Sequence, residues 1–573
     1  MSRASLQNGL LRLALTIGLV SSLILVVSSA PSETNTRDIK NEYDVVIYGS
    51  TIAAIAAAVQ VKRMKKTVAI VSPTETIGGL TTSGLGWTDA KNGDTIGGIA
   101  REFYNRIYTF YQTSGWKYES RDAYLKKSID AQPGKAIVPS KKVQWTFEPK
   151  VAEAVLEKWI KDGKIPVFRN EPIDRSGNSV TMDGTTITSF RGVSGRTWKA
   201  KMFIDASYTG DLMEQIGVPY RTGREGSAEY NEDKAGFVIN NPDLLTKSVS
   251  PYVKKGDGSS GLIAGIDRVL KVNNGLTGTA DSYRLQAYNY RLCLTTVASN
   301  RVPFNKPRGY QEATYELLFR YIEAGYKGPF FTTQLMPNLK TDSNAEGEVS
   351  TDLFGDNYNS KAKSNYALYS YKERQAVAEE HKTYTQGFLW TLANHNRIPK
   401  SIRQSYSNWG YAKDEFTANG NFPNELYIRE ARRMKGIYTM TQRNVLQPGP
   451  FPRDTSIATG SYYLDVHAVE RVLVGDKIYT EGAIHTVTNK PFPIAYNSII
   501  PAANVARNFL NPVTMSATHV AYAAIRMEPA YMQMGQSAGT AAVHAIQQKL
   551  PVQDIDRNVL NARLRADKQV LTV

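Results

Sequence analysis

Residues 43–79, YDVVIYGSTIAAIAAAVQVKRMKKTVAIVSPTETIGG, constrain the fold more than any other stretch. Residues 44–48 form a β-branched apolar run suited to a buried parallel strand, and Gly49 breaks it. An Ala-rich helix is predicted over 52–64 and a second apolar strand over 67–71. Together they make one βαβ unit. Its turn suits a dinucleotide, because free N–H groups and the positive dipole end of the helix attract a pyrophosphate.

The G-x-G-x-x-G/A template is met in part. Gly49 holds the first position, Ser50 follows it, Thr51 replaces the second glycine and Ala54 takes the third. The acidic residue expected after the second strand, where it would bind a ribose hydroxyl, is replaced by Ser72; Glu75 lies three residues on.

A chain of 573 residues is too long for one core, and 42% hydrophobic with 21% charged residues indicates a globular protein. The net charge of +16 comes from scattered Lys and Arg, which reads as a solvated basic surface, with acidic partners as the alternative and no nucleic-acid module. At the N-terminus, Arg3 and Arg12 precede an apolar run to Val27 and the small residues Ser28-Ser29-Ala30. Residues 1–30 therefore read as a secretory signal peptide, or as a signal anchor if uncleaved, with a polar linker over 31–42. The expected location is outside the cytoplasm, secreted or membrane-anchored. Cys293 is the only cysteine, which excludes an internal disulfide and a cysteine-based metal cluster, and no metal site is expected.

After the second strand, Gly78-Gly79 and a run containing Thr81, Gly84 and Gly86 let backbone lie against a flat ligand. Helices are expected over 100–110 and 148–160, a meander over 179–193, and a strand over 202–206 that brings Ala206, Gly210 and Asp211 beside the first loop. Residues 236–479 read as an insert, with helices over 314–324, 370–393 and 426–434. Strands are predicted within 491–501 and 510–516. A last helix is expected to open at Gly535-Gln536-Ser537-Ala538-Gly539-Thr540, presenting unpaired N–H groups to the ligand.

These blocks, in order, resemble the FAD-dependent oxidoreductase family, a branch of the glutathione-reductase-like flavoproteins whose bacterial members are sometimes labelled xanthan-lyase-like. The resemblance also takes in residues 290–303, 429–434, 460–467, 519–522 and Arg526-Met527-Glu528-Pro529, nearly the whole chain after residue 42. It implies an α/β fold: a Rossmann-like FAD-binding domain of glutathione-reductase type (43–235 and 480–573) with an inserted mixed α+β substrate domain (236–479). It also implies FAD held non-covalently by the first βαβ unit, the Gly78-Gly79 loop and the C-terminal helix. Family members more often carry Gly where Ala54 stands and an acid where Ser72 stands.

A flavin that takes a hydride from an alcohol or amine needs a base for the accompanying proton. Asp465 and His467 share one face of a predicted strand, so the carboxylate can orient the imidazole. His519 is a second candidate base and Tyr462 a candidate proton donor, while Arg429, Arg433 and Arg526 are candidates to hold an acidic substrate. His381 and His395 read as solvated, and His544 as packing. The expected activity is hydride transfer from a small organic or carbohydrate-like substrate to the flavin, with oxygen as acceptor. The alternatives are a lyase or hydrolase of acidic glycans and a non-catalytic flavin-binding protein.

Overall fold

The computed structural model describes residues 41–239, 249–270, 275–451, 455–488 and 490–572. The predicted leader and most of the linker lie outside them; the linker ends before Glu42, which already pairs with Lys199. No helix among the described residues is long and apolar enough to cross a membrane.

The first βαβ unit forms as its sequence predicts: β1 (Glu42–Tyr48), α1 (Ile52–Arg63) and β2 (Val68–Val71). The parallel part of the central sheet continues through β3 (Val167–Phe168), and the meander β4 (Val180–Asp183), β5 (Thr186–Arg191) and β6 (Thr197–Asp205) follows. Strand order is β3-β2-β1-β6-β5-β4, with β7 (Phe509–Leu510) also on β6. β6 divides one edge: Thr197–Lys199 pair antiparallel with β5, while Phe203 and Ile204 pair parallel with β7. The fold is mixed α/β. Val45 to Tyr48 are fully buried, as the covered faces of a parallel sheet require.

α1 is also buried along most of its length because the C-terminal helix Glu528–Gln548 lies across it. A Cβ on Gly535 would collide with the Ala53 carbonyl, and one on Gly539 with that of Ala57. Those glycines therefore sit inside the helix and allow close packing. The expected opening at Gly535 is corrected: the helix starts at Glu528, with Pro529 in its first turn, where a missing N–H costs no hydrogen bond.

Within 236–479 a five-stranded antiparallel sheet runs in the order Arg301–Pro303, Gly410–Ala412, Leu292–Thr295, Lys340–Ser343, Gln334–Met336. Helix Tyr371–Asn394, opened by a Ser370/Glu373 capping box, packs on this sheet through Val377 and Leu389, and helix Glu316–Glu323 packs on its Phe388 and Leu392. The helix expected over 426–434 is absent. That segment is extended, and Arg433–Met434 pair with Tyr220–Arg221. Its arginines, fully buried, reach partners on different sides: Arg429 meets Asp352, Arg432 meets Asp211, and Arg433 meets Glu225 and Glu430. An i, i+4 stack on one helix face could not satisfy all of these. His381 and His395 are buried, not solvated: His381 pairs with Asp356 at 2.6 Å.

Candidate active site

The carboxyl ends of β1, β2 and β6 open onto a cavity of about 340 Å³, lined in part by Ser50, Thr74, Tyr208, Asp211, Arg374 and Glu425. Strand ends at a reversal of strand order are where open α/β sheets bind ligands. Gly49, at a φ of 126°, lets the turn lie against the Ala206–Ser207 backbone. Thr51 donates its hydroxyl to the Ala206 carbonyl at 2.8 Å and does not cap α1, and the first helical turn carries no acidic residue. A buried helix start with neither cap nor carboxylate suits a phosphate. Ala54 is fully buried within α1. These residues fit the adenosine and pyrophosphate end of a dinucleotide.

Ser72 gives its hydroxyl to the Thr74 carbonyl at 2.7 Å. Glu75 is exposed, accepts from Asn170 and does not line the cavity. Of the two carboxylates in the cavity wall, Asp211 is paired with arginines, and the other, Glu425, comes from the insert; burial raises Glu425 to about 7. Asp211 is held well below its ordinary value: burial opposes ionisation, but Arg374 at 2.7 Å and Arg432 at 2.8 Å overcome it. Gly210 adopts the left-handed conformation that turns the chain into the helix Asp211–Ile216.

Gly78 and Gly79, both at positive φ, form a loop tied to the first turn by the Gly78 N–H on the Ser50 carbonyl at 2.6 Å. Thr81, on the same loop, donates to Glu528 at 2.8 Å, and Tyr208 donates to the other oxygen of that carboxyl at 2.7 Å. The Tyr208 hydroxyl also accepts from the Leu80 N–H. The glycine loop and the start of the C-terminal helix thus meet at Tyr208, and the Gly78–Ser50 hydrogen bond ties the first loop to the glycine loop. Burial raises Glu528 to about 7. Gln536, Ala538 and Thr540 lie deeper in the same helix. Gln536 accepts from the Ile99 N–H, Thr540 donates to the Gln536 carbonyl, and Ala538 is fully buried, so all three serve helix packing.

Tyr427 packs on Leu80 and Leu85 and leads from the glycine loop to a polar cluster. Its hydroxyl accepts from Arg526 at 2.6 Å, and Arg526 also donates to the Asp465 backbone carbonyl at 2.7 Å. Asp465 lies on the strand Leu464–Val466, opposite His485 on Ile484–Thr486. His467 follows that strand. Its Nδ1 is 2.7 Å from Asp352 Oδ2, while its Nε2 is 3.7 Å from Asp465 Oδ2, beyond a hydrogen bond. Asp352 is brought down to about 2: burial opposes this, but Arg429 and His467 outweigh it. Asp465 is held well below its ordinary value against burial, chiefly by His467, with His485 and Arg526 assisting. Asp89, from the loop after the glycines, is raised to about 6 by burial, against the pull of Arg291. The Tyr462 hydroxyl donates to Tyr463 at 3.1 Å, and burial pushes its pKa well above the ordinary value.

His519 belongs to a different network. Its Nδ1 is 2.7 Å from Glu430 and its backbone N–H meets Glu225. Gln286 joins the two networks, donating to Glu430 and accepting from the His467 N–H. The structure therefore brings Asp465, His467 and Tyr462 to one region and sets His519 behind it. Sequence reading missed Asp352, Glu425 and Gln286, which come from irregular segments; Asp89 and Glu528 stood in recognised blocks without a role.

A family model described as FAD dependent oxidoreductase matches residues 44–564. None of the curated proteins matches. Similar solved structures include a flavin monooxygenase mutant from Stenotrophomonas maltophilia (16% identity, 32% of this chain and 42% of that one, TM-score 0.19). Others are an L-amino acid deaminase from Proteus vulgaris (13%, 32% and 53%, 0.21) and an L-proline dehydrogenase from P. horikoshii (13%, 35% and 61%, 0.22). The chain thus spans less than two thirds of each, and likenesses at these scores bear on neither fold nor chemistry.

Proposed function

This chain belongs to the FAD dependent oxidoreductase family, and from that premise we propose that it oxidises a small organic or carbohydrate-like substrate with His467 as base. When bound, FAD supplies the two-electron acceptor for a hydride from a substrate C–H bond. In a glutathione-reductase-type arrangement, Ser50, Thr51 and the start of α1 would hold the pyrophosphate, and the Gly78-Gly79 loop with the start of the C-terminal helix would hold the flavin end.

The observation that carries this reading is the His467 geometry. Ionised Asp352 accepts from Nδ1–H and fixes the tautomer, which leaves Nε2 to accept a proton from a substrate hydroxyl or amine. Asp465 stands beside Nε2 and stabilises the imidazolium that results. Arg291, Arg429 and Arg526 are matched by Asp342, Asp352 and Asp465, so they bring no surplus positive charge. This favours a neutral alcohol or amine over an acidic substrate. Oxygen is the proposed electron acceptor, and a site of action outside the cytoplasm is proposed from the leader expected over residues 1–30.

The test is anaerobic titration of the purified flavoprotein against alcohols, amines and uronates, followed by oxygen with peroxide detection. Bleaching by at least one compound and stoichiometric peroxide support the reading. A flavin that no compound reduces argues for a binding protein instead.

A further inference from the structure

In the usual dinucleotide fold an acid at the end of the second strand holds the adenosine ribose. This chain has none there: the Ser72 hydroxyl is committed to Thr74, and the Glu75 carboxylate faces Asn170 at the surface. Yet the cavity wall beside Thr74 does hold a carboxylate, at Glu425 in the insert. Its partners are the hydroxyls of Thr74 and Thr76, at 3.4 and 3.5 Å, both long and weak. Among the described residues no Lys, Arg or His pairs with it. Glu425 therefore presents oxygens with unused acceptor capacity to a space bounded by Ser50 and Thr74, the residues that follow β1 and β2.

We propose that Glu425, supplied by the insert and not by the nucleotide-binding sheet, accepts hydrogen bonds from the adenosine ribose hydroxyls of FAD. The role rests on FAD being the cofactor. It also makes cofactor affinity depend on the insert's docking, since one wall of the ribose site belongs to the insert. Two adjacent hydroxyls match the two oxygens of one carboxyl group.

The test is a fluorescence titration of the apoprotein with FAD and with its 2′-deoxyadenosine analogue, for the wild type, Glu425→Gln and Glu75→Gln. The expected result is FAD binding weakened about 10- to 100-fold in Glu425→Gln and essentially unchanged in Glu75→Gln. The wild type should prefer FAD over the deoxy analogue, and Glu425→Gln should lose that preference. Wild-type affinity in Glu425→Gln, with the preference intact, would overturn the assignment. Should that variant not fold, the wild type decides alone: equal affinity for both ligands overturns the proposal. A wild type that binds neither ligand refutes the FAD reading itself, a separate outcome.

Discussion

His467 Nδ1 lies 2.7 Å from Asp352 Oδ2, a residue 115 positions earlier in the chain and on the insert. The proposed base and its orienting carboxylate thus both belong to the insert, on stretches far apart in the chain. His467→Gln should retain FAD and slow flavin reduction by about 10²- to 10⁴-fold, read by anaerobic stopped flow. Reduction at the wild-type rate would remove His467 from the mechanism.

Asp352 also bears on stability. Its carboxyl lies at about 2, below the ordinary 3.8, so the folded state favours the ionised form. That contribution is fully present above pH ~4 and is lost as pH falls through ~2. Asp352→Asn should lessen the acid-side dependence of the melting temperature. It should also destabilise the protein at neutral pH by roughly 3–5 kcal/mol, because buried Arg429 loses its counter-charge.

Glu528 works in the opposite direction. Burial raises it to about 7 from 4.5, so the folded protein binds its proton more tightly than the unfolded chain does. The linked stability is present below pH ~4.5 and declines as pH rises to ~7. In the apoprotein, Glu528→Gln should flatten the fall in melting temperature between pH 5 and 8. An unchanged slope would show that the carboxyl is already ionised across that range.

Gly535 and Gly539 are assigned to helix packing. Gly535→Ala should lower the stability of the apoprotein by roughly 1–3 kcal/mol through overpacking against Ala53, measured by denaturant unfolding. No loss of stability without FAD, combined with weaker FAD binding, would return Gly535 to the cofactor site.

Lys340 is fully buried between Glu148 at 2.7 Å, Asp414 at 2.7 Å and Glu415 at 2.5 Å. These three carboxylates are spaced to hold a cation, and the ammonium stands among them. Lys340→Met should cost roughly 3–5 kcal/mol in urea unfolding, and a divalent cation should restore part of the loss.

The first βαβ unit was legible because a buried parallel strand and an Ala-rich helix are local patterns. The 426–434 segment misled for the converse reason. Arg429 and Arg433, four residues apart, look like a stacked pair on one helix face, whereas burial and distant carboxylates hold the segment extended. The GQSAGTAA run could not be placed along its helix from sequence, since small residues suit a ligand and a crossing helix equally. Asp352 and Glu425 sit in irregular chain, and only tertiary folding brings them to His467 and to the strand ends.

A crystal structure of the protein with FAD tests the central claim most directly. The account predicts adenosine in the cavity between Ser50 and Glu425, pyrophosphate at the start of α1, and the flavin ring on the side of Thr81 and Glu528, facing His467. Adenosine density elsewhere, or a flavin ring remote from the Asp352–His467 pair, would contradict it.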